Sequence, residues 1–308
     1  DITDMTVSVS PDELLGLGTV TSNKLMVSYS DEPRPVDTEA LIALYNATNG
    51  DDWYINDNWL NMEVPVSEWF GVQVEHSRVV FINLRNNNLT GYLPPEIGDL
   101  SGLKRMYLTN NNISGTIPDE IGNMTHLERL IINNNRISGE IPISIGSCSF
   151  MQEINLSGNQ LTGTIPAVVG SLAELETVRL RDNQLTGSVP EGFGSLNALT
   201  YCYLQNNQLT ELPDISASKS LQEINVSNNM LTFGDLEYNM SLLADFYYSP
   251  QADINEARQV SISFGYNGTF TTEVDGTVNN YQWYKDGYLI PGATTESLMI
   301  EDADLTDL

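Results

Sequence analysis

The chain is predicted to fold as an α/β solenoid followed by an all-β segment, and three observations carry that expectation. A pattern of apolar residues restarts at Val79, Leu103, Leu127, Met151, Leu175 and Leu199, each 24 residues after the last, and a shortened turn begins at Leu221. Self-similarity at a fixed period of this length marks units that bury their apolar faces only by stacking. An asparagine and a proline recur at constant offsets within each unit. From about residue 256 the period disappears and short alternating runs replace it, which is the pattern of two-faced strands.

Within a unit the order is L-x-x-L-x-L-x-x-N-x-L-[ST]-G-x-[ILV]-P-x-x-[IVF]-G-x-[LM]. The opening run is a short strand whose apolar members, such as Leu103, Met106 and Leu108, point inward because side chains alternate across a strand. The asparagine column is Asn87, Asn111, Asn135, Asn159, Asn183, Asn207 and Asn229. A buried amide must satisfy two donors and an acceptor, so this column is expected to bond backbone groups of adjacent turns. Gly91, Gly115, Gly139, Gly163 and Gly187 permit the bend. Pro94, Pro118, Pro142, Pro166, Pro190 and Pro213 end the strand and begin the opposite side. Thr210-Glu211-Leu212-Pro213 lacks the glycine and marks the last regular turn.

The pattern resembles the plant-type leucine-rich repeat over roughly residues 37–235, and its L-[ST]-G-x-[ILV]-P element is specific among repeat classes. The resemblance implies a right-handed superhelix with a parallel sheet on the concave face and short helical turns on the convex one. Solenoid ends need caps. Residues 37–48 read as an amphipathic helix with Asp37 at its N-cap and Leu41, Leu44 and Tyr45 on one face. Trp53, Trp59 and Trp69-Phe70-Gly71-Val72 resemble the family's N-terminal cap. No cysteine flanks them, which is more like bacterial surface proteins bearing this repeat.

The expected organisation is therefore an extended segment over 1–36, read as the tail of a preceding module, and a cap over 37–78. Seven repeats over 79–232 and an irregular C-terminal cap over 233–255 follow. Residues 256–308 would be a partial immunoglobulin-like domain. Its resemblance rests on Tyr281-Gln282-Trp283-Tyr284-Lys285-Asp286-Gly287 and on Ser297-Leu298-Met299-Ile300. Trp283 would be the tryptophan packed between two sheets, with Phe270 standing where that family usually has cysteine. The natural protein is expected to continue past Leu308.

The balance of 13 basic against 41 acidic residues gives a formal charge of −28. Such a surface repels phosphates and anionic lipid, so neither nucleic acid nor direct membrane insertion is expected, and no apolar run approaches the roughly 20 residues of a membrane span. Cys148 and Cys202 fall on inward positions two turns apart, too far for a disulfide. No catalytic constellation is evident: His76 and His126 lie apart, and P-loop, G-x-S-x-G and H-E-x-x-H motifs are absent. Asp51, Asp52 and Asp57 could hold calcium, but a solvated loop is the preferred reading, and no other cofactor is expected.

Repeat proteins bind through the surface that their curvature presents. Five outward positions in each of seven turns hold Arg85, Lys104, Arg105, Arg129, Arg179 and Arg181, six of the chain's 13 basic residues. They hold only five of its 41 acids: Glu128, Glu153, Glu176, Asp182 and Glu223. Tyr107, Tyr201 and Tyr203 join the strip, and Arg and Tyr are favoured at binding hot spots. The strip is the expected site for a protein or polysaccharide ligand of an extracellular or cell-surface adhesion module. Lateral pairing of Glu153 with Arg129 and Arg179 is the bland alternative. A second alternative is lattice binding, such as to ice, by the convex side. That would need a uniform small-residue column, whereas the available one reads Tyr92, Thr116, Glu140, Thr164 and Ser188. A third is a receptor ectodomain fragment.

Overall fold

The computed structural model describes residues 32–242, 244–251, 268–271, 284–285, 288–295 and 297–300. The chain divides into two units, Asp1–Ser30 and Asp31–Leu308; the first lies outside the described residues, and with it most of the expected N-terminal segment.

Pro35–Ala47 forms the opening helix, with Pro35 at its first position and Arg34 as N-cap. The expectation that Asp37 caps this helix is corrected. Proline is pre-set for the first helical position, so the helix starts earlier and Asp37 falls inside its first turn. There Asp37 is fully buried. Its Oδ2 accepts the Val79 backbone N–H at 2.9 Å and Arg78 Nε at 3.1 Å, which ties the helix to the first repeat. Leu41, Leu44 and Tyr45 are buried. Tyr45, Trp53, Trp59 and Trp69 form a chain of ring contacts with centroids 4.9–5.8 Å apart. Two of the indole donors are satisfied by backbone carbonyls, Trp53 by Thr48 and Trp59 by Phe70, as buried indoles usually are.

Val72–Glu75 pairs antiparallel with Arg78–Asn83, and the sheet then continues in parallel, one strand per turn. The strands are Arg105–Tyr107, Arg129–Ile131, Glu153–Asn155, Thr177–Arg179, Tyr201–Tyr203 and Glu223–Asn225, with register partners 24 residues apart and 22 at the last step. An eighth parallel strand, Asp245–Tyr247, follows in the stretch read as an irregular cap. On the opposite side 3-10 turns run over Pro95–Asp99, Asp119–Asn123, Ile143–Ser147, Ala167–Ser171 and Glu191–Ser195, each started by the repeat's proline. Gly91 shows why the bend needs glycine: its φ is +93°, and a Cβ there would lie 2.1 Å from the Ala47 carbonyl oxygen.

The interior is continuous from Ala40 to Leu236, with Leu103, Met106 and Leu108 fully buried. Truncating such a side chain to alanine costs about 2–5 kcal/mol. The buried asparagines follow one rule. Asn111 Oδ1 accepts the N–H groups of Asn87 and Leu89 in the preceding turn, while its Nδ2 donates to the carbonyls of Leu84 and Leu108. Asn135, Asn159, Asn183, Asn207 and Asn229 donate to the matching carbonyls. Asn87 instead meets Ile55, in the segment that precedes the repeats. Past the eighth strand Gln251 takes over: its Oε1 accepts from Asn229 and Leu231, and its Nε2 donates to Val226. Cys148 and Cys202 are buried and unbonded to each other.

Near the C-terminus Gly268–Thr271 pairs antiparallel with Ser297–Ile300, and Tyr284–Lys285 with Tyr288–Leu289. Trp283 and residues 301–308 lie outside the described residues.

Candidate ligand-binding face

Alternation along each strand creates two outward rows on the sheet. One runs Phe81, Arg105, Arg129, Glu153, Thr177, Tyr201, Glu223 and Asp245; the other runs Asn83, Tyr107, Ile131, Asn155, Arg179, Tyr203, Asn225 and Tyr247. Not every residue expected on this strip is open to solvent. Val80, Tyr107, Ile131, Ser157 and Ser227 are buried. Tyr107 is the functional correction: it is only 9% exposed, because the Arg85 guanidinium lies 3.9 Å above its ring centroid and Phe81 packs edge-on at 5.1 Å.

The cations divide into two kinds. Arg105 lies 4.8 Å from the Phe81 ring centroid, and neither it nor Arg85 has an acidic partner among the described residues. The others are paired. Glu153 receives Arg179 in a short charged hydrogen bond and Arg129 at 4.0 Å. Lys104 meets Glu75 and Arg181 meets Asp182, each at 3.6 Å. Arg179 also lies 5.5 Å from the Tyr203 ring centroid.

Tyr201 and Tyr203 stand on one strand with rings 6.4 Å apart and nearly parallel. Their hydroxyls donate to Gln222 Oε1 and Glu223 Oε2, each at 2.9 Å. Burial, then the hydrogen bond to Glu223, pushes the Tyr203 hydroxyl above the usual tyrosine range. Burial also pushes the Cys148 thiol up to about 11 and the Cys202 thiol up to about 12. In the acidic loop after the opening helix Asp51 accepts the Tyr45 hydroxyl at 2.8 Å. No cluster of histidine, cysteine or acids suited to a metal ion occurs among the described residues.

Sequence reasoning missed a second, exposed ladder. Asn86, Asn110, Asn134, Asp182, Asn206 and Asn228 all have φ between +53° and +59°, and Gly158 fills the same place at +64°. Asn110 donates to Asn86, Asn134 to Asn110 and Asn228 to Asn206, at 2.7–2.8 Å, and Asn206 donates to Asp182. The cue was present, since Asn, Asp and Gly are the residues that tolerate left-handed backbone.

Residues 77–137 and 149–209 match the leucine rich repeat family. These two stretches carry leucine-rich repeats, and their strands lie in the parallel sheet. No curated protein matches the chain. Among solved structures, a plant ice-binding protein aligns at 26% identity with a TM-score of 0.64, over 71% of this chain and 72% of that one. The ectodomain of the membrane receptor kinase GASSHO1/SCHENGEN3 from Arabidopsis thaliana, solved in complex with CASPARIAN STRIP INTEGRITY FACTOR 2, aligns at 25% identity with a TM-score of 0.57. That match covers 69% of this chain but only 29% of the receptor. The Arabidopsis receptor kinase HAESA, in complex with the peptide hormone IDA, shares the fold at 22% identity and a TM-score of 0.58, over 71% of this chain and 42% of that one. No helix among the described residues is long and apolar enough to cross a membrane.

Proposed function

We propose that this chain is a non-catalytic, extracellular or cell-surface recognition module that binds a protein or peptide along the concave face of its repeats. The observation that carries this is the concentration of six of 13 basic residues, with Tyr201 and Tyr203, on one strip of a molecule of charge −28. Exposed ion pairs are worth only about 0–1 kcal/mol, so stability accounts poorly for that enrichment. The receptor ectodomain solved in complex with CASPARIAN STRIP INTEGRITY FACTOR 2 supports a proteinaceous ligand over a polysaccharide. The face also suits a narrow ligand: eight parallel strands at about 4.8 Å spacing make a ladder roughly 35 Å long. We read residues 37–78 as the family's tryptophan-rich cap and 256–308 as an immunoglobulin-like spacer.

Panning a peptide library on the intact chain tests this. Selected peptides should lose binding to a variant carrying Arg105→Glu and Tyr201→Asp, and keep it with Thr116→Asp and Ile143→Asp on the other side. Binding that follows the second pair would overturn the assignment.

The likeness to a plant ice-binding protein favours a second reading, lattice binding by the opposite side. Its exposed column is broken by Tyr92 and Glu140. In the neighbouring Ser/Thr column Ser114, Ser138 and Thr186 donate their hydroxyls to carbonyls of Gly91, Gly115 and Gly163. We therefore expect no thermal hysteresis. Hysteresis abolished by Thr164→Tyr would move the function to that side.

A further inference from the structure

The concave reading leaves open which part of the face reads charge, and the two unpaired arginines answer it. Arg85 and Arg105 belong to adjacent turns, and each lies over an aromatic ring of the other's turn: Arg85 over Tyr107 and Arg105 over Phe81. The two rings meet edge-on. A guanidinium that stacks through its face keeps its in-plane N–H donors pointing away from the ring. These donors have no acidic partner among the described residues, although the chain carries 41 acids. Arg129 and Arg179 differ because both already face Glu153.

We propose that Arg85 and Arg105 form a preorganised anion-reading pair that takes a carboxylate-bearing, acidic segment of an extended peptide. This inference rests on the concave assignment and deepens it. The ring platform holds both cations in place before a ligand arrives, so little side-chain freedom is lost on binding. Carboxylates match the planar fork of arginine in two parallel hydrogen bonds. The repulsion of an acidic peptide by distant acids of the chain is screened beyond about 10 Å at 0.1 M salt, so the local pair decides. A sugar fits this end poorly, because the arginines already lie over the ring faces on which it would stack.

The test follows arginine Nε–Hε signals of the intact chain by NMR while penta-glutamate is added at constant ionic strength, with a sulfated oligosaccharide in a parallel arm. The signals of Arg85 and Arg105 should move along one saturable isotherm, and those of Arg129 and Arg179 should stay nearly still. Arg85→Gln with Arg105→Gln should weaken the peptide at least about tenfold, equivalent to about 1.4 kcal/mol. Phe81→Leu, which removes only a platform, should weaken it less, and circular dichroism checks that each variant is folded. Equal shifts at Arg179, or no saturable shift, would overturn the pair. Saturable binding of the oligosaccharide without the peptide would overturn its assignment to a peptide. If panned peptides still depend on Tyr201 while penta-glutamate moves nothing, the concave reading stands and this inference falls; if none depends on the face, both fall.

Discussion

The first three turns and the four that follow share one backbone, one interior and one hydrogen-bond rule, yet their outward faces treat charge differently. The first group carries Arg85, Lys104, Arg105 and Arg129 against Glu128, and two of its arginines lie on aromatic rings. The second carries Arg179 and Arg181 against Glu153, Glu176, Asp182 and Glu223, and both of its arginines are paired with acids. The deciding variable is whether an acid stands within reach of the guanidinium. Arg105 has Phe81 on one side and Arg129 on the other. Arg179 has Tyr203 on one side and Asn155 on the other, with Glu153 diagonal to it. Arg85 and Arg181 hold the same position of the repeat, yet Arg85 lies over a ring with no acidic partner among the described residues while Arg181 meets Asp182.

The largest break in this comparison should come from Asp37→Ala. It removes the acceptor of the Val79 N–H and the partner of Arg78, so the turn bearing Phe81 and Arg85 loses its anchor. Asp37 is fully buried but Arg78 is 23% exposed, so the cost should lie between the about 1 kcal/mol of an exposed pair and the about 3–5 kcal/mol of a buried one. Chemical denaturation should show that loss, and hydrogen exchange should rise over 79–86 before 199–229. A cost below about 1 kcal/mol, the range of an exposed pair, would show that the anchor is not needed.

Alkaline pH should instead strain the second group. Burial raises the thiols of Cys202, to about 12, and Cys148, at the boundary turn, to about 11, from 9.0. A group whose folded value is raised contributes stability that is fully present below the unfolded value and is lost as pH rises towards the folded one. The loss should start near pH 9 and grow by about 1.4 kcal/mol per pH unit for each thiol. Tyr203 shifts in the same direction. Denaturation midpoints between pH 8 and 11 check this, and Cys202→Ala should flatten the slope. An unchanged slope would assign the alkaline loss to other groups.

The interior was readable because a strict period assigns a direction to every position: the asparagine column and both cysteines lie on the inward side. Asp37 was misread as a cap because the reading began at the acid and passed over Pro35, which starts the helix two residues earlier. The eighth turn escaped because its columns hold Phe246 and Gln251 in place of leucine and asparagine. Gln251 nevertheless makes the bonds that an asparagine makes elsewhere. Tyr107 looked exposed because its burial comes from Arg85 in the preceding turn. A single unit's pattern shows which way a side chain points, but not what the next turn lays over it.

The finest test compares how the two kinds of arginine are held. A double-mutant cycle on Arg179→Ala and Glu153→Gln should give a coupling of about 1 kcal/mol, near the upper end for such pairs. Arg129, already 4.0 Å from Glu153, limits the loss by moving in. That coupling should shrink between about 0.02 M and about 1 M salt, where the screening length falls from over 20 Å to about 3 Å. The cycle on Arg105→Ala and Phe81→Leu should give about 0.5 kcal/mol, as for exposed cation–ring contacts. It should change less with salt, because part of that contact is the burial of ring surface beneath the guanidinium. Urea denaturation of the two cycles at both salt concentrations measures the contrast. Equal salt dependence would mean that Arg105 is held by a charge after all, and the distinction between the two halves of the face would fail.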